Sequence, residues 1–531
     1  MTRSYDYIVV GAGSAGCVIA NRLSEDGRSS VLLLEAGGHD RNPLVRIPIG
    51  LGKLHQHKIY DWGLVAEPDP GLNDRAIPAM RGKVLGGSHS INVMAFTRGD
   101  RADYDRWAHE GADGWSYSDV LPYFKRCESW QKGESDWRGG SGPIHVEFAR
   151  STDPLFQAWL AAAHKLGYPF TEDFNGENHE GFGIVQNTIW KGRRDSAAAA
   201  YLRPALKRPN LELQTETHVT EIVLEGTRAA GVRYVKGRQS ASVTATAGRE
   251  VILCAGAYHT PQLLMLSGIG PTKHLASLGI ETLVDLPVGQ CLQDHLAVLF
   301  TWSRPTPGSF HGTMRLDRAV LAMARAYLFG TGPGTVLPSY LFAFIKTIPS
   351  LDVPDIEFMF RAVATQADLW FPGLRPAFAD SFAIRPTLLH PKSWGEVLLR
   401  STNPLDRPRI CNQFLQHPDD LATLLRGAKI GLDLAARPTV AAMAGKMIGP
   451  PEIRSDSDIE HWIRSTAITA NHPCGTCGIG RVVDSRLSVL GVQSLRVVDA
   501  SVIPTIVSGH INACVLMIAE KASDMIRARE T

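Results

Sequence analysis

A short apolar run, Tyr5-Asp-Tyr-Ile-Val-Val10, passes directly into Gly11-x-Gly13-x-x-Gly16, and this junction constrains the fold more than any other stretch of the chain. Glycine at those three positions lets the backbone turn sharply, approach a pyrophosphate and bring helix against strand. Cys17 to Leu23 then reads as a helix with Val18, Ile19 and Leu23 inward, and Val31 to Leu34 as a second buried strand ending at Glu35, nineteen residues past Gly16. A carboxylate at a strand end accepts both hydroxyls of an adenosine ribose and repels a 2′-phosphate, which sets NADP aside. The opening is therefore a βαβ dinucleotide fold, and these residues alone leave NAD and FAD both open.

The 531 residues hold 55 Lys and Arg against 53 Asp and Glu, so there is no basic field for nucleic acid and the expected partner is a small molecule. Eight cysteines lie scattered, without the spacing of a disulfide framework, and no run reaches the ~18 apolar residues of a membrane span. The first apolar run begins too early and holds too many glycines for a signal peptide, so a cytoplasmic location is expected.

Further along, Gly82-Lys-Val-Leu-Gly-Gly-Ser88 is too rich in glycine for a helix and reads as a loop in close approach to something. Residues 213 to 235 read as a β-meander, Val251 to Gly256 as a buried strand, and Thr260 to Leu266 as a helix with Pro261 in its first turn. Residues 300 to 380 mix Pro, Gly and aromatics around one amphipathic helix at about 316 to 329, and are the expected substrate-facing region. A last apolar helix spans about 513 to 526, immediately after His510. Cys474-Gly-Thr-Cys477 lacks partners at metal spacing, so no metal is expected. His55-x-His57 reads as a solvated loop. Trp302, Trp370 and Phe371 are read as core first and as pocket wall second.

Gly82 to Asn92 resembles the first signature of the glucose-methanol-choline oxidoreductase family, and Gly256-Ala257-x-x-Thr260-Pro261 through Gly270 resembles the second. Gly192-Arg-Arg-x-Ser196, Tyr201-Leu-x-Pro204, Gln293-Asp-His295, Val498-Asp-Ala500, Asn471-His-Pro-Cys-Gly-Thr476 and Ser508-Gly-His-Ile-Asn512 extend the likeness over residues 5 to 526. Within the family, the stretch from Thr97 to Ser116 looks most like the bacterial choline and sorbose dehydrogenase group. The resemblance implies an α/β architecture: a Rossmann-like FAD-binding domain formed by residues 1–150, 191–300 and 466–531, and a discontinuous α+β substrate domain on an antiparallel sheet formed by 151–190 and 301–465.

For the cofactor it implies FAD in extended form. Gly11, Gly13, Ser14, Ala15, Gly16, Glu35 and Ala36 take the ADP half, and Val219 lies by the adenine. Arg81, Val84, Gly86, Gly87, Ser88, Asn92, Val93 and Ala255 lie about the pyrophosphate and flavin, with Asp499, Ala500, His510, Ile511 and Asn512 completing the site. Ile91 stands where some members carry a histidine covalently joined to the flavin, so FAD is expected to be noncovalent; His89 replaces a small residue and is read as filling space.

Removing hydride from an alcohol carbon is easy only when the hydroxyl proton leaves at nearly the same time, and imidazole suits that work at neutral pH. His472 is accordingly the expected general base and His510 the group that orients the substrate oxygen, in the oxidation of a primary alcohol to an aldehyde. The hydride goes to flavin N5, and O2 or an electron-transfer partner is the expected final acceptor. Choline, a sugar or polyol, an aryl alcohol and a pyridoxine-like compound fit this chemistry. Choline requires aromatic faces and a carboxylate about its ammonium, for which Glu357 and Trp370 are the candidates. The alternative function is a lyase of the hydroxynitrile type that keeps FAD only as structure.

Overall fold

The computed structural model describes residues 3–237 and 241–528, so the ends of the two outer segments expected above, residues 1–2 and 529–531, lie outside it. The strand Arg3–Val10 pairs in parallel with Val31–Leu34 on one side and with Val243–Leu253 on the other. Leu211–Gln214 extends this parallel sheet beyond Val31–Leu34, and Leu495–Val497 pairs with the end of Val243–Leu253, closing a seven-stranded sheet. Val31–Leu34 is buried along its whole length, as a parallel strand covered on both faces should be. The first helix, Ser14–Leu23, begins three residues earlier than the apolar pattern indicated because Gly13 serves as its N-cap. It packs against the last helix, Asn512–Arg527.

Two sequence readings change here. The alternation from Leu213 to Val219 is not one strand: Leu211–Gln214 ends in the parallel sheet, Glu216 takes a left-handed φ of 56°, and Thr217–Glu225 starts a separate antiparallel ribbon with Arg228–Lys236. The helix with Pro261 starts at Gly256, which puts the proline inside it. The ring denies the Ala257 carbonyl its helical donor, and the Thr476 hydroxyl donates to that carbonyl instead at 2.7 Å.

The second body is an antiparallel sheet in the order Met447–Gly449, Phe300–Ser303, Ser381–Leu388, Ile356–Arg361, Ser339–Ile345, Gly181–Ile184, with Leu296–Ala297 and Ile468–Thr469 attached beside it. Its alternation sorts residues between two faces. Ile356, Phe358 and Ile384 meet Gly427 and Gly431 of the helix Pro418–Ala436 on the back. Glu357, Met359, Arg361 and Arg385 therefore face the dinucleotide half, with Met359 opposite Arg385 in the register. The amphipathic helix is found at Leu316–Phe329, and among the described residues no helix is long and apolar enough to cross a membrane.

Candidate active site

A continuous cavity of about 1100 Å³ runs between the two bodies, from Glu35 and Val219 at one end to His472, His510 and the antiparallel sheet at the other. Glycine makes the close approach possible. A Cβ on Gly87, whose φ is +52°, would lie 2.8 Å from Gly13 Cα, and one on Gly16 would lie 1.8 Å from the Gly11 carbonyl oxygen. Gly13, Ser14 and Ala15 present an N-terminus without a side-chain cap to the cavity, and Ile511 and Asn512 present a second one from the last helix. Both leave backbone N–H groups and a positive dipole end for negative charge. Ser14 Oγ donates to Asn512 Oδ1 at 2.7 Å, tying the two termini together.

The Glu35 carboxylate accepts from Ala12 N at 2.8 Å and Gly37 N at 2.7 Å, and burial raises it to about 7. Asp499 is held similarly by the Thr260 hydroxyl and the N–H groups of Gly256 and Ser501, and burial raises it as well. Ala36, Arg81, Ser88, Asn92, Val93, Ala255 and Ala500 also line the cavity. Three of the residues expected to contact the cofactor do not line it. Gly16 lies under the first turn, Val84 is fully buried and bridged to Gly38, and Gly86 takes a φ of +84° with Ser90 Oγ where a Cβ would go. They shape the wall from behind.

His89 is fully buried, accepting from Ala197 N at 3.1 Å, and fills space beneath the loop. His55 is not on a solvated loop: it sits on the helix Leu51–Gln56, bonds the Ile91 carbonyl at 2.7 Å and lines the cavity, with its pKa lowered by burial. Trp302 stacks on Phe382 in the core, and Trp370 bonds the His311 carbonyl. Neither Trp302, Trp370 nor Phe371 lines the cavity. The apolar wall comes instead from Phe310, Met314, Leu337, Phe342 and Met359. Cys474 and Cys477 are buried free thiols, and among the described residues no His, Cys, Asp and Glu cluster is arranged to hold a metal.

The two histidines expected from the sequence meet at the far end, with ring centroids 4.8 Å apart. They are 8% and 6% exposed, enough only to face the cavity. Asn471, with a φ of 65°, turns the chain before His472, whose N–H donates to Asp294 Oδ1 at 2.8 Å. Gly509, with Thr97 Oγ1 2.7 Å from where a Cβ would stand, sets the chain before His510.

Three further residues hold these rings, and the sequence reading had not given them that role. His295 Nε2 lies 3.0 Å from the Leu389 carbonyl, and His295 Nδ1 lies 2.9 Å from His472 Nδ1. A carbonyl only accepts, so His295 carries its proton on Nε2. Burial holds that imidazole neutral, with its pKa lowered to about 3, so its Nδ1 is an acceptor. His472 must then donate from Nδ1, which leaves the Nε2 lone pair free. Burial first, then the nearby His510, His295 and Arg385, lower His472 well below the ordinary imidazole value, so it is neutral at pH 7. His510 Nε2 donates to Glu357 Oε1 at 2.9 Å, and Phe342 stacks on its ring. Glu357 is thus a partner of His510 and not a carboxylate presented to a bound ammonium, and its carboxyl is lowered by His510 despite burial.

GMC oxidoreductase family models match residues 5–297 and 391–519. The oxygen-dependent choline dehydrogenase of Brucella ovis is 41% identical over 532 residues, covering 99% of this chain and 96% of that protein. That of Sinorhizobium medicae is likewise 41% identical, over 533 residues. Among solved structures, pyridoxine 4-oxidase from Mesorbium loti superposes with a TM-score of 0.87 at 30% identity, covering 99% of each chain. Formate oxidase from Aspergillus oryzae RIB40, in work on FAD modification, superposes with a TM-score of 0.90 at 28% identity, covering 99% of this chain and 98% of that one. Dehydrogenases and oxidases on this fold support oxidation and set the lyase alternative aside. The chain belongs to the GMC oxidoreductase family and is an FAD-dependent oxidoreductase acting on alcohol-type donors.

Proposed function

We propose that this enzyme oxidises a primary alcohol to an aldehyde, with His472 as general base. The observation that carries the reading is the relay Leu389–His295–His472, which leaves the lone pair of a neutral Nε2 available at the end of a cavity sized for a dinucleotide. As the O–H proton passes to His472 Nε2, the C–H electron pair leaves as hydride and the carbonyl forms. FAD supplies the hydride acceptor at its N5. His510, fixed by Glu357 and Phe342, stands beside His472 to position the alcohol oxygen, and the apolar wall strengthens both polar contacts.

In the same reading Glu35, Ala36 and Val219 take the adenosine, and the N–H groups at Gly13 to Ala15 take the pyrophosphate. Gly87, Ser88, Asn92, Val93, Ala255, Asp499 and Ala500 would enclose the rest, and the N–H groups at Ile511 and Asn512 would meet negative charge on the flavin. Ile91 on the cavity wall offers no nucleophile, which supports noncovalent FAD. Residues 1–150, 191–300 and 466–531 form the cofactor domain of this proposal, and 151–190 with 301–465 the substrate domain. We further propose a cytoplasmic enzyme that passes its electrons to O2, as the oxygen-dependent choline dehydrogenase and the pyridoxine 4-oxidase are named for doing, or to an electron-transfer carrier. Mixing the purified protein with alcohols without oxygen tests the reading: bleaching of the flavin in the wild type and its loss in His472→Gln is the expected result, and an unbleached wild type rejects it.

A further inference from the structure

Resting on that reading, we infer that the alcohol carries a carboxylate, which Arg361 and Arg385 hold on the sheet face opposite the cofactor half. Both guanidiniums line the cavity from adjacent strands, Arg385 opposite Met359 and Arg361 two residues further along the same face. Neither makes an ion pair or hydrogen bond among the described residues, and Arg385 Nε is buried without a partner. Their surroundings depress rather than support the charge: burial lowers Arg385, and burial together with Arg385 lowers Arg361 to about 10. Half-buried cations without a partner are costly, and such a cost is retained where a ligand removes it.

The charges that face this corner favour an anion. Against the two guanidiniums stands Glu357, which is already bonded to His510 and attracts Arg385. His472 and His295 are neutral, and Asp368 at the mouth is occupied by Lys53 and Arg375. The corner keeps an excess of positive charge, to which Arg81 on the same cavity wall adds. A carboxylate offsets it, and the planar guanidinium fork matches carboxylate geometry. Arg385 stands opposite Met359, two residues along the strand from Glu357, the partner of His510, so a carboxylate held there lies a short way from the alcohol carbon. Phe342, Met359 and Leu337 supply an apolar wall for the body between the two groups. A quaternary ammonium finds the opposite: two like charges, a carboxylate, Glu357, already bonded to His510, and a wall tryptophan, Trp62, that already carries the Lys83 ammonium over its ring.

The test uses the FAD-loaded enzyme and three para-substituted benzyl alcohols, 4-(hydroxymethyl)benzoate, 4-methylbenzyl alcohol and 4-(trimethylammonio)benzyl alcohol, with flavin reduction followed without oxygen. Benzoate, which has no alcohol to oxidise, is titrated against the flavin spectrum, and inorganic phosphate is titrated in parallel. The expected order of kcat/KM is carboxylate, neutral, cation, with the carboxylate ahead of the neutral alcohol by roughly tenfold or more. Arg361→Met and Arg385→Met each lower that ratio about tenfold and weaken benzoate to match, and Arg385→Lys restores part of both.

Equal or reversed preference, benzoate binding that ignores both substitutions, or phosphate binding more tightly than benzoate overturns the assignment. Loss of FAD from either methionine variant also overturns it, because the guanidiniums would then hold the cofactor. If no alcohol bleaches the flavin while benzoate still binds in an arginine-dependent way, the clamp stands and the His472 reading alone fails.

Discussion

His295 Nδ1 stands 2.9 Å from His472 Nδ1, and because the other His295 nitrogen is spent on a carbonyl, this contact fixes which nitrogen of His472 carries the proton. His295→Gln keeps an acceptor within reach of that position, whereas His295→Leu removes it and lets His472 turn or change tautomer. We expect His295→Leu to reduce kcat by about 10- to 100-fold with FAD retained, and His295→Gln to recover much of it. Equal losses in the two variants, by stopped-flow flavin reduction, contradict the relay.

Direct removal of the base is the more severe change. His472→Ala should retain FAD and fold, while kcat falls by about 10²- to 10⁴-fold, equivalent to roughly 3 to 5 kcal/mol of barrier. A variant keeping most of its turnover would falsify the assignment.

Because His472 is held well below the ordinary imidazole range, it remains unprotonated through neutral pH. The kcat/KM profile is therefore expected to be level from about pH 6.5 upward through 8, with its acid limb below the ~6.5 of a solvated imidazole. A rise centred at or above that value points to a different titrating group.

Glu35 gives a stability prediction in the FAD-free protein. Its carboxyl moves from an ordinary 4.5 to about 7 on folding, so the native state binds a proton between those values that the unfolded chain does not. Its contribution is fully present below 4.5 and is lost as pH rises through 7, a change of up to about 3 kcal/mol. Denaturant titration at pH 5 and pH 8 should show the difference in the wild type and a flatter dependence in Glu35→Gln, which should also bind FAD more weakly.

At Gly16 the added methyl has nowhere to go, with the Gly11 carbonyl oxygen 1.8 Å from the Cβ position. Gly16→Ala should destabilise the protein by about 2 kcal/mol or more and reduce bound FAD, both measurable by thermal unfolding and flavin absorbance.

The βαβ opening was legible because one face-buried pattern, a glycine turn and a terminal acid lie within thirty-odd residues, all of it local. His472 and His510 were legible through their motifs. What escaped depends on contacts between distant segments. His295 lies 177 residues from His472, and nothing in either local pattern announces their bond. Glu357 was singled out as a carboxylate, but only the register of its strand shows that it turns toward His510. Trp302 lies in the core, as first read, and Trp370 bonds the His311 carbonyl off the cavity; the rings that do form the wall, Phe310 and Phe342, were not told apart from core, since aromatic content does not say which face a ring occupies. His55 was read from its polarity, while the helix that carries it lays it against the Ile91 carbonyl.

Leu495–Val497 enters the parallel sheet beside Val243–Leu253, and the helix Asn512–Arg527 packs on the helix that follows the first strand. Flavin capture thus waits on two segments 498 residues apart in sequence, tied where Ser14 meets Asn512. Deletion of the helix Asn512–Arg527 should leave an aggregation-prone polypeptide that never becomes yellow, rather than a shortened enzyme with reduced activity.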